Sequence, residues 1–251
     1  MDTTKLKSSI GEKNKIIRSV LKKVGKALGD YKMIDNNDNI LVGVSGGKDS
    51  LTLIDALKEK QKKIPVKFNL FAVIVDFGFS NSPDCFKEVE NYLKNIGIEY
   101  NVIKKPLPKS ERKFNCFWCS WNRRKEIFLL AKKLNCRKVA LGHNLDDIIV
   151  TFLINLFYHG EISTMPAKLE MFKGEIVLIR PLVYLTSEET KVYSEVKNLP
   201  VVNYKCPYYN SNNIQMRHYI LNIVNDLKKY YPNIKLNIFN SLKKIRKEYL
   251  V

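Results

Sequence analysis

The chain has 251 residues, 45% of them hydrophobic, enough for one large α/β domain with an added segment. It carries no apolar run long enough to cross a bilayer, and its first residues, MDTTKLKSSIGEKNK, lack the core of a signal peptide, so a soluble, cytoplasmic protein without a membrane partner is expected. A net charge of +18 suits a polyanionic partner, because lysines and arginines that neutralise phosphates release condensed counterions; AT-rich coding would also enrich Lys, Asn and Ile in this way.

Ile17, Leu21, Val24 and Leu28 recur at helical spacing among lysines and predict a basic amphipathic helix over residues 10–30. The turn NNDN follows, then a buried strand over Ile40–Val44, and after SGGKDS a helix carrying Leu51, Leu53, Ile54 and Leu57. A second strand is predicted over Phe68–Val75, a helix around Phe86–Leu93 and a third strand over Ile98–Ile103. The polar, basic stretch KKPLPKSERKFN leads into a cysteine pair, and a helix is expected from about Asn122 to Leu134. A short strand at Lys138–Leu141, a helix over Ile148–Phe157 after GHNLDD, a loop with Met165-Pro166 and a strand near Ile176–Ile179, ended by Pro181, complete the middle of the chain. The tail after Pro207 reads as helical and basic, with Ile220, Ile223, Val224 and Leu227 on one face. Strands alternating with helices at this spacing predict a doubly wound, mostly parallel sheet of the α/β class, with helical additions at both ends.

The strongest local signal is Ser45-Gly46-Gly47-Lys48-Asp49-Ser50, at a strand-to-helix junction. Ligands of open α/β sheets bind at the carboxyl ends of strands. Glycines there let the backbone turn sharply and present N–H groups to an anion, and the following helix adds its positive end. Lys48 supplies a mobile charge and Ser45 and Ser50 supply hydroxyl donors. This is not a Walker A loop, which needs Gly where Val42 stands and Ser or Thr where Asp49 stands. The motif resembles the PP-loop of the ATP pyrophosphatase superfamily, whose members cleave ATP between the α- and β-phosphates and transfer AMP to a substrate oxygen.

The cysteines, Cys85, Cys116, Cys119, Cys136 and Cys206, are five, and an odd count in a chain expected to lack a signal peptide argues against a disulfide framework. Cys116-Phe117-Trp118-Cys119 fits a zinc half-site, a redox pair or part of an iron–sulfur site, and Cys206, in Lys205-Cys206-Pro207, is a candidate third ligand. Cys136 reads as a buried structural thiol, and Cys85, near a helix start, is uninformative. Gly142-His143-Asn144-Leu145-Asp146-Asp147 follows the fourth strand, again at the carboxyl edge of the sheet. Asp146 and Asp147, with Asp49, are candidates to position Mg²⁺ or the substrate base, since hard cations take carboxylate oxygens; helix N-termini also favour Asp for dipole reasons alone. His143 and Val75 are expected beside the nucleotide. His159 and His218 have no assigned role. Phe117, Trp118 and Trp121 could stack a flipped base, although core packing is the commoner use of such aromatics.

Across residues from about 25 almost to the C-terminus, the chain resembles the tRNA 2-thiocytidine synthetase family and its relatives, the tRNA 2-thiouridine synthetases. KALGDYKMIDNNDNILVGVSGGKDSLTL, CFWCSWNRRKEIF, VALGHNLDDIIVTFLINLFYHG, MPAKL and IRPLVYLTSEE carry the resemblance. The block from FYHG to IRPL is most similar to the cytidine enzymes. VVNYKCPYYN is more similar to the uridine enzymes, whose zinc-finger cysteines have no counterpart before Cys85 or after Cys206. The resemblance implies a [4Fe–4S] cluster on Cys116, Cys119 and Cys206 with one iron free of protein ligands; the alternative is a structural zinc completed by His218 or His143. It also implies that ATP, with Mg²⁺, adenylates the base at its exocyclic oxygen, that a sulfur then takes that position as AMP leaves, and that Arg123 matches a catalytic basic residue of the uridine enzymes. The expected ATP site is Ser45, Gly46, Gly47, Lys48, Asp49, Ser50, Val75, Gly142 and His143; the expected catalytic residues are Asp49, Arg123, Asp146 and Asp147. The partners implied are tRNA and a sulfur donor, either sulfide, a persulfide protein or another carrier; a homodimer is left open. The organisation read is a basic helical segment over 1–36, a PP-loop ATPase domain with the cysteine pair over 37–205 and a helical tail over 206–251 that holds Cys206. Two rivals remain: a cluster-free PP-loop tRNA ligase or amidotransferase, which leaves the cysteines unexplained, and a basic RNA-binding protein, which leaves SGGKDS unexplained.

Overall fold

The computed structural model describes residues 3–78, 85–105, 116–202 and 212–249. Six strands form one sheet: β1 (Asp38–Gly43), β2 (Phe68–Asp76), β3 (Glu99–Lys104), β4 (Lys138–Ala140), β5 (Lys168–Met171) and β6 (Ile176–Ile179). Their order is β3-β2-β1-β4-β6-β5, parallel throughout except for the antiparallel edge strand β5. The chain winds outward from β1 to β3 and then returns to the other side of β1 at β4, so the winding reverses between β1 and β4. A crevice opens at such a reversal, beyond the carboxyl ends of the two strands.

Alternation along the strands loads both faces of the sheet. Ile40 and Val42 of β1 face one core, together with Leu70, Ala72 and Ile74 of β2. That core is covered by α1 (Thr3–Asp30), α2 (Lys48–Gln61), α3 (Lys87–Asn95), α5 (Leu145–Ile154), α6 (Ser187–Val196), α7 (Asn212–Tyr230) and α8 (Ile234–Ser241). Val20, Val24, Val224 and Phe239 show that helices from both ends of the chain share it. Leu41, Val73, Val75, Val139 and Leu178 face the opposite side. There, among the described residues, α4 (Cys116–Lys133) is the one covering helix, through Ile127 and Ala131. No helix of the described residues is long and apolar enough to cross a membrane.

Four local features differ from the sequence expectation. The cysteine pair does not precede α4 but forms its first turns. Asn122, the expected helix start, lies inside and donates its side-chain N–H to the Trp118 carbonyl one turn back at 2.9 Å, while Trp118 packs on Phe77 with ring centroids 5.8 Å apart. The helix after GHNLDD begins at Leu145 rather than Ile148, because Asn144 and Asp147 close a reciprocal capping box, and it relaxes into a π-helical turn over Asn155–His159. Helix α6 was absent from the expectation although Thr186 and Glu189 form the same kind of box. Strand β5, KLEM, is short, half of it charged, and lacks the β-branched run that marks a strand.

One buried polar node ties three helices together. Asp55 of α2 accepts from Tyr92 of α3 and Tyr193 of α6, each at 2.6 Å, with Lys197 at 3.3 Å. Burial first, with the neighbouring carboxylate, pushes both phenols far above their ordinary range, so both stay protonated as donors. Asp55→Ala leaves these donors without their acceptor and should lower stability by about 3 kcal/mol, measured by urea denaturation. A loss below about 1 kcal/mol would show that the node is not what joins the helices.

Candidate active site

The PP-loop leaves the carboxyl end of β1 and turns at Gly46, whose φ of +80° lies in the left-handed region. A Cβ there would also stand 2.8 Å from Val202 and 3.0 Å from Phe86, so both conformation and space require glycine. The Val202 N–H donates to the Gly46 carbonyl at 2.9 Å, fastening the loop to the segment four residues before Cys206. Within the loop, Ser50 Oγ donates to the Gly47 carbonyl at 2.9 Å and accepts from the Ser45 N–H at 3.1 Å. Gly47 caps α2 with extended backbone and no side-chain acceptor, leaving first-turn N–H groups of that helix available to an anion.

Lys48 turns along the helix, where its Nζ donates to both Asp49 oxygens at 2.9 Å and to Ser187 Oγ at 2.8 Å. Asp49 Oδ1 also accepts from Asn144 at 3.0 Å and from Thr190 Oγ1. Three elements therefore hold the Asp49 carboxylate: α2, the loop after β4 and α6. Gly142 lets the β4 loop approach closely, since a Cβ there would stand 3.0 Å from the Ser50 nitrogen.

A cavity of about 470 Å³ opens at the crevice between β1 and β4. Ser45, Asp49 and Ser50 line it on one side, Gly142 and His143 on another, and Val73 and Val75 give it an apolar floor. Its remaining wall comes from α4, through Ser120, Arg123 and Arg124, and from Arg180 after β6. Thus the helix that starts with the cysteine pair faces the same space as the phosphate loop. Cys119 is half-buried and packs with the core under α4. The Cys116 side chain and Cys206 lie outside the described residues, as does the 106–115 part of the basic loop; among the described residues no three His, Cys, Asp or Glu side chains group as metal ligands. Cys136 is 2% exposed, and burial pushes its thiol up to about 11, as suits a packing role.

Asp146 and Asp147 are engaged away from the cavity lining. Asp146 accepts from the Ser187 N–H at 2.6 Å, capping α6, and pairs with Lys235. Asp147 accepts from the Asn144 N–H at 3.1 Å in the capping box and pairs with Arg217 at 3.1 Å; burial pushes its carboxyl above the ordinary range. Sequence reasoning passed over Asn144 and Thr190, which position Asp49, Ser187, which accepts from Lys48, and Arg180, which completes the cavity wall. The Thr186 box could have placed the first turn of α6, and Arg180 is a cation closing a buried strand at its carboxyl end.

His143 Nδ1 accepts from Arg180 Nε at 3.3 Å, which fixes the neutral ring with its proton on the other nitrogen. Burial first, and then Arg180, Arg217 and Arg124, push its pKa from 6.5 down to about 4. Between these two values the unfolded chain binds the proton and the folded chain does not, so the contribution of His143 is full above pH 6.5 and is lost as pH falls toward 4. Stability should fall by about 2 kcal/mol more between pH 7 and pH 5 in the native protein than in His143→Gln, measured by urea denaturation at the two pH values. Equal slopes in the two proteins would refute it.

An open doubly wound sheet with a glycine-rich loop and an ordered aspartate at its reversal point defines a PP-loop α/β protein. The PP-loop domain model matches residues 14–222. Over 248 residues the chain is 36% identical to the tRNA-cytidine(32) 2-sulfurtransferase of Janthinobacterium sp. (strain Marseille), covering 96% of this chain and 76% of that protein. It is 38% identical over 239 residues to tRNA-cytidine(32) 2-sulfurtransferase 1 of Francisella tularensis subsp. tularensis (strain WY96-3418), covering 92% of this chain and 87% of that one. Among solved structures it is similar to the U34-tRNA thiolase NcsA from Methanococcus maripaludis with its [4Fe-4S] cluster, with a TM-score of 0.77 and 26% identity over 95% of this chain and 81% of that one. The chain belongs to the PP-loop family and, within it, to the tRNA-cytidine(32) 2-sulfurtransferase family, and is an enzyme of the sulfurtransferase class.

Proposed function

We propose that this enzyme uses ATP to exchange the 2-oxygen of a cytidine in the tRNA anticodon loop for sulfur, with both halves of the reaction in one chamber. The observation that carries the reading is the shared cavity, walled by the PP-loop on one side and by the cysteine-bearing helix on the other. The PP-loop backbone and the open start of α2 receive the β- and γ-phosphates. Asp49, held by three elements, lines the cavity, and in this reading its carboxylate binds the Mg²⁺ that accompanies them. Lys48 can exchange its serine and threonine partners for phosphate oxygens. Val73 and Val75 offer the adenine an apolar floor.

The cytosine O2 attacks the α-phosphorus, the bond to the bridging oxygen breaks and pyrophosphate leaves. The poor leaving oxygen at C2 then departs within AMP as sulfur adds there. Arg123 is placed on the cavity wall to meet charge on the α-phosphate. Asp146 and Asp147 serve this arrangement through the helix starts they cap.

The chemistry of the donor set fits an iron–sulfur cluster: Cys116 and Cys119 stand three residues apart at the start of one helix, and thiolates are the usual ligands. Cys206 is the third ligand in this reading. When bound, such a cluster with one open iron supplies a site for the inorganic sulfur, which comes from sulfide or a persulfide-bearing protein. The tRNA contacts the exposed basic side chains of α1, including Lys15, Arg18 and Lys22, and of the α7 end, Lys228 and Lys229.

The test is incubation of tRNA with cluster-loaded enzyme, ATP, Mg²⁺ and sulfide, followed by mass spectrometry of the nucleosides. The expected product is 2-thiocytidine, formed in step with AMP. Similarity to a U34-tRNA thiolase makes 2-thiouridine the second reading, and its appearance instead would assign that base. Steady ATP turnover with neither thionucleoside formed would overturn the thiolation reading.

A further inference from the structure

The cavity wall opposite the PP-loop holds three guanidinium groups, those of Arg123, Arg124 and Arg180. Arg180 is 6% exposed, and its donors are only partly used, by His143 Nδ1 at 3.3 Å and the Pro166 carbonyl. Arg123 stacks on Phe77 with its guanidinium carbon 5.4 Å from the ring centroid, and its buried Nε has no hydrogen-bond partner among the described residues. Arg124 is exposed at the mouth, its Nε 3.3 Å from the Ser120 carbonyl. None of the three has a carboxylate within ion-pair distance among the described residues, whereas nearby Arg217 has Asp147 and Lys235 has Asp146.

Clustered guanidinium groups repel one another, and a buried one without a counter-charge is costly. The consequences are visible around them: burial, then Arg124, lowers the Arg180 pKa to about 10, and the same arginines help keep His143 neutral. A neutral His143 adds no further repulsion and accepts the bond that aims Arg180. A dianionic or monoanionic phosphate matches this wall, because guanidinium forks pair with phosphate oxygens in planar, bidentate fashion.

We propose that Arg124 and Arg180, joined by Arg123, form a second phosphate site across the cavity from the PP-loop. The inference rests on the nucleotide reading above only for one of its two sources of phosphate. The anion is the α-phosphate that ends as AMP, or a backbone phosphate of the tRNA beside the target base. In either case the site separates the two phosphate loads: pyrophosphate on the PP-loop, a lone phosphate on the arginines.

The test uses cluster-loaded protein and its Arg124→Gln, Arg180→Gln and Arg180→Lys variants, with AMP, inorganic pyrophosphate and a tRNA transcript as separate ligands in titration calorimetry. If the α-phosphate is held there, AMP binding weakens at least tenfold in Arg180→Gln and at least threefold in Arg124→Gln, while pyrophosphate binding stays within twofold. If the tRNA backbone is held there, AMP binding is unchanged, tRNA binding weakens, and the log–log salt slope falls by about one. Arg180→Lys should recover part of the loss. Arg124 is exposed and Arg124→Gln keeps the fold, so a destabilised Arg180→Gln would not remove the test. Binding of all three ligands within twofold of native in Arg124→Gln and in a folded Arg180 variant would overturn the proposal. Failure of the thiolation assay with these binding changes intact would count against the proposed reaction and not against the site.

Discussion

Lys48→Ala and Asp49→Ala proteins should release AMP at least a hundredfold more slowly than the native enzyme, with tRNA binding unchanged. Removing one preorganised group that meets developing charge costs about two to three orders of magnitude in rate. Lys48 is the one cation of the loop, and Asp49 is the only carboxylate among the described residues that lines the cavity. The two substitutions should nevertheless differ. Lys48 is part-exposed and donates to Asp49, Ser187 and Thr190, and of these acceptors Asp49 and Ser187 are themselves part-exposed, so water can replace most of what its removal takes away. Removal of Asp49 instead strips Asn144 and Thr190 of an acceptor and loosens the contact between the β4 loop and α6. Added Mg²⁺ should partly restore an Asp49→Asn protein and should not restore Lys48→Ala. The measurement is AMP release from labelled ATP in the presence of tRNA, with urea denaturation alongside to show that the fold persists. Native-like AMP release from both alanine variants would remove the PP-loop from the chemistry.

The second large effect concerns the thiols. Changing Cys116, Cys119 or Cys206 to Ala in anaerobically prepared protein should drop iron from about four atoms per chain to a small fraction and abolish thionucleoside formation, because a [4Fe–4S] centre on three thiolates does not survive loss of one. Cys136→Ala is the internal control: its thiol is buried under α4 and pushed up to about 11, far from the thiolate form, so iron should stay near native. ATP-dependent AMP formation should continue in the cysteine variants if adenylation needs only the phosphate-loop side of the cavity. Stoichiometric zinc, no iron and full activity in air would replace the cluster reading with a structural metal while leaving adenylation in place.

The sheet and the loop were legible in the sequence because their physics is local. A buried β1 must be apolar on both faces, and SGGKDS has few uses at a strand end. The cavity wall was not legible in the same way. Arg180 lies 131 residues beyond Asp49 in the chain, and only the reversal between β1 and β4 brings them to one cavity. Asp146 and Asp147 show the opposite difficulty. Adjacent carboxylates at a strand end read first as metal or substrate ligands and only second as helix N-terminal charge, and in the structure each caps a helix start and pairs with a cation. The start of α4 was misplaced because Asn122 has the chemistry of a cap, and only its bond to Trp118 shows it working inside the helix.

Helix α4 covers its face of the sheet alone among the described residues and begins with the cysteine pair. On the proposed ligation, a metal held at its first turn also clamps the roof over Val73, Val75 and Val139. Ligand binding to the native state alone adds stability by mass action, and metal sites transmit that gain to whatever they pin. Iron supply would then govern how long the protein lasts as well as whether it works: the cluster-free form would open α4 more often, exposing that side of the sheet to proteases, and scarcity of iron would reduce the amount of enzyme before any regulator acted on its gene.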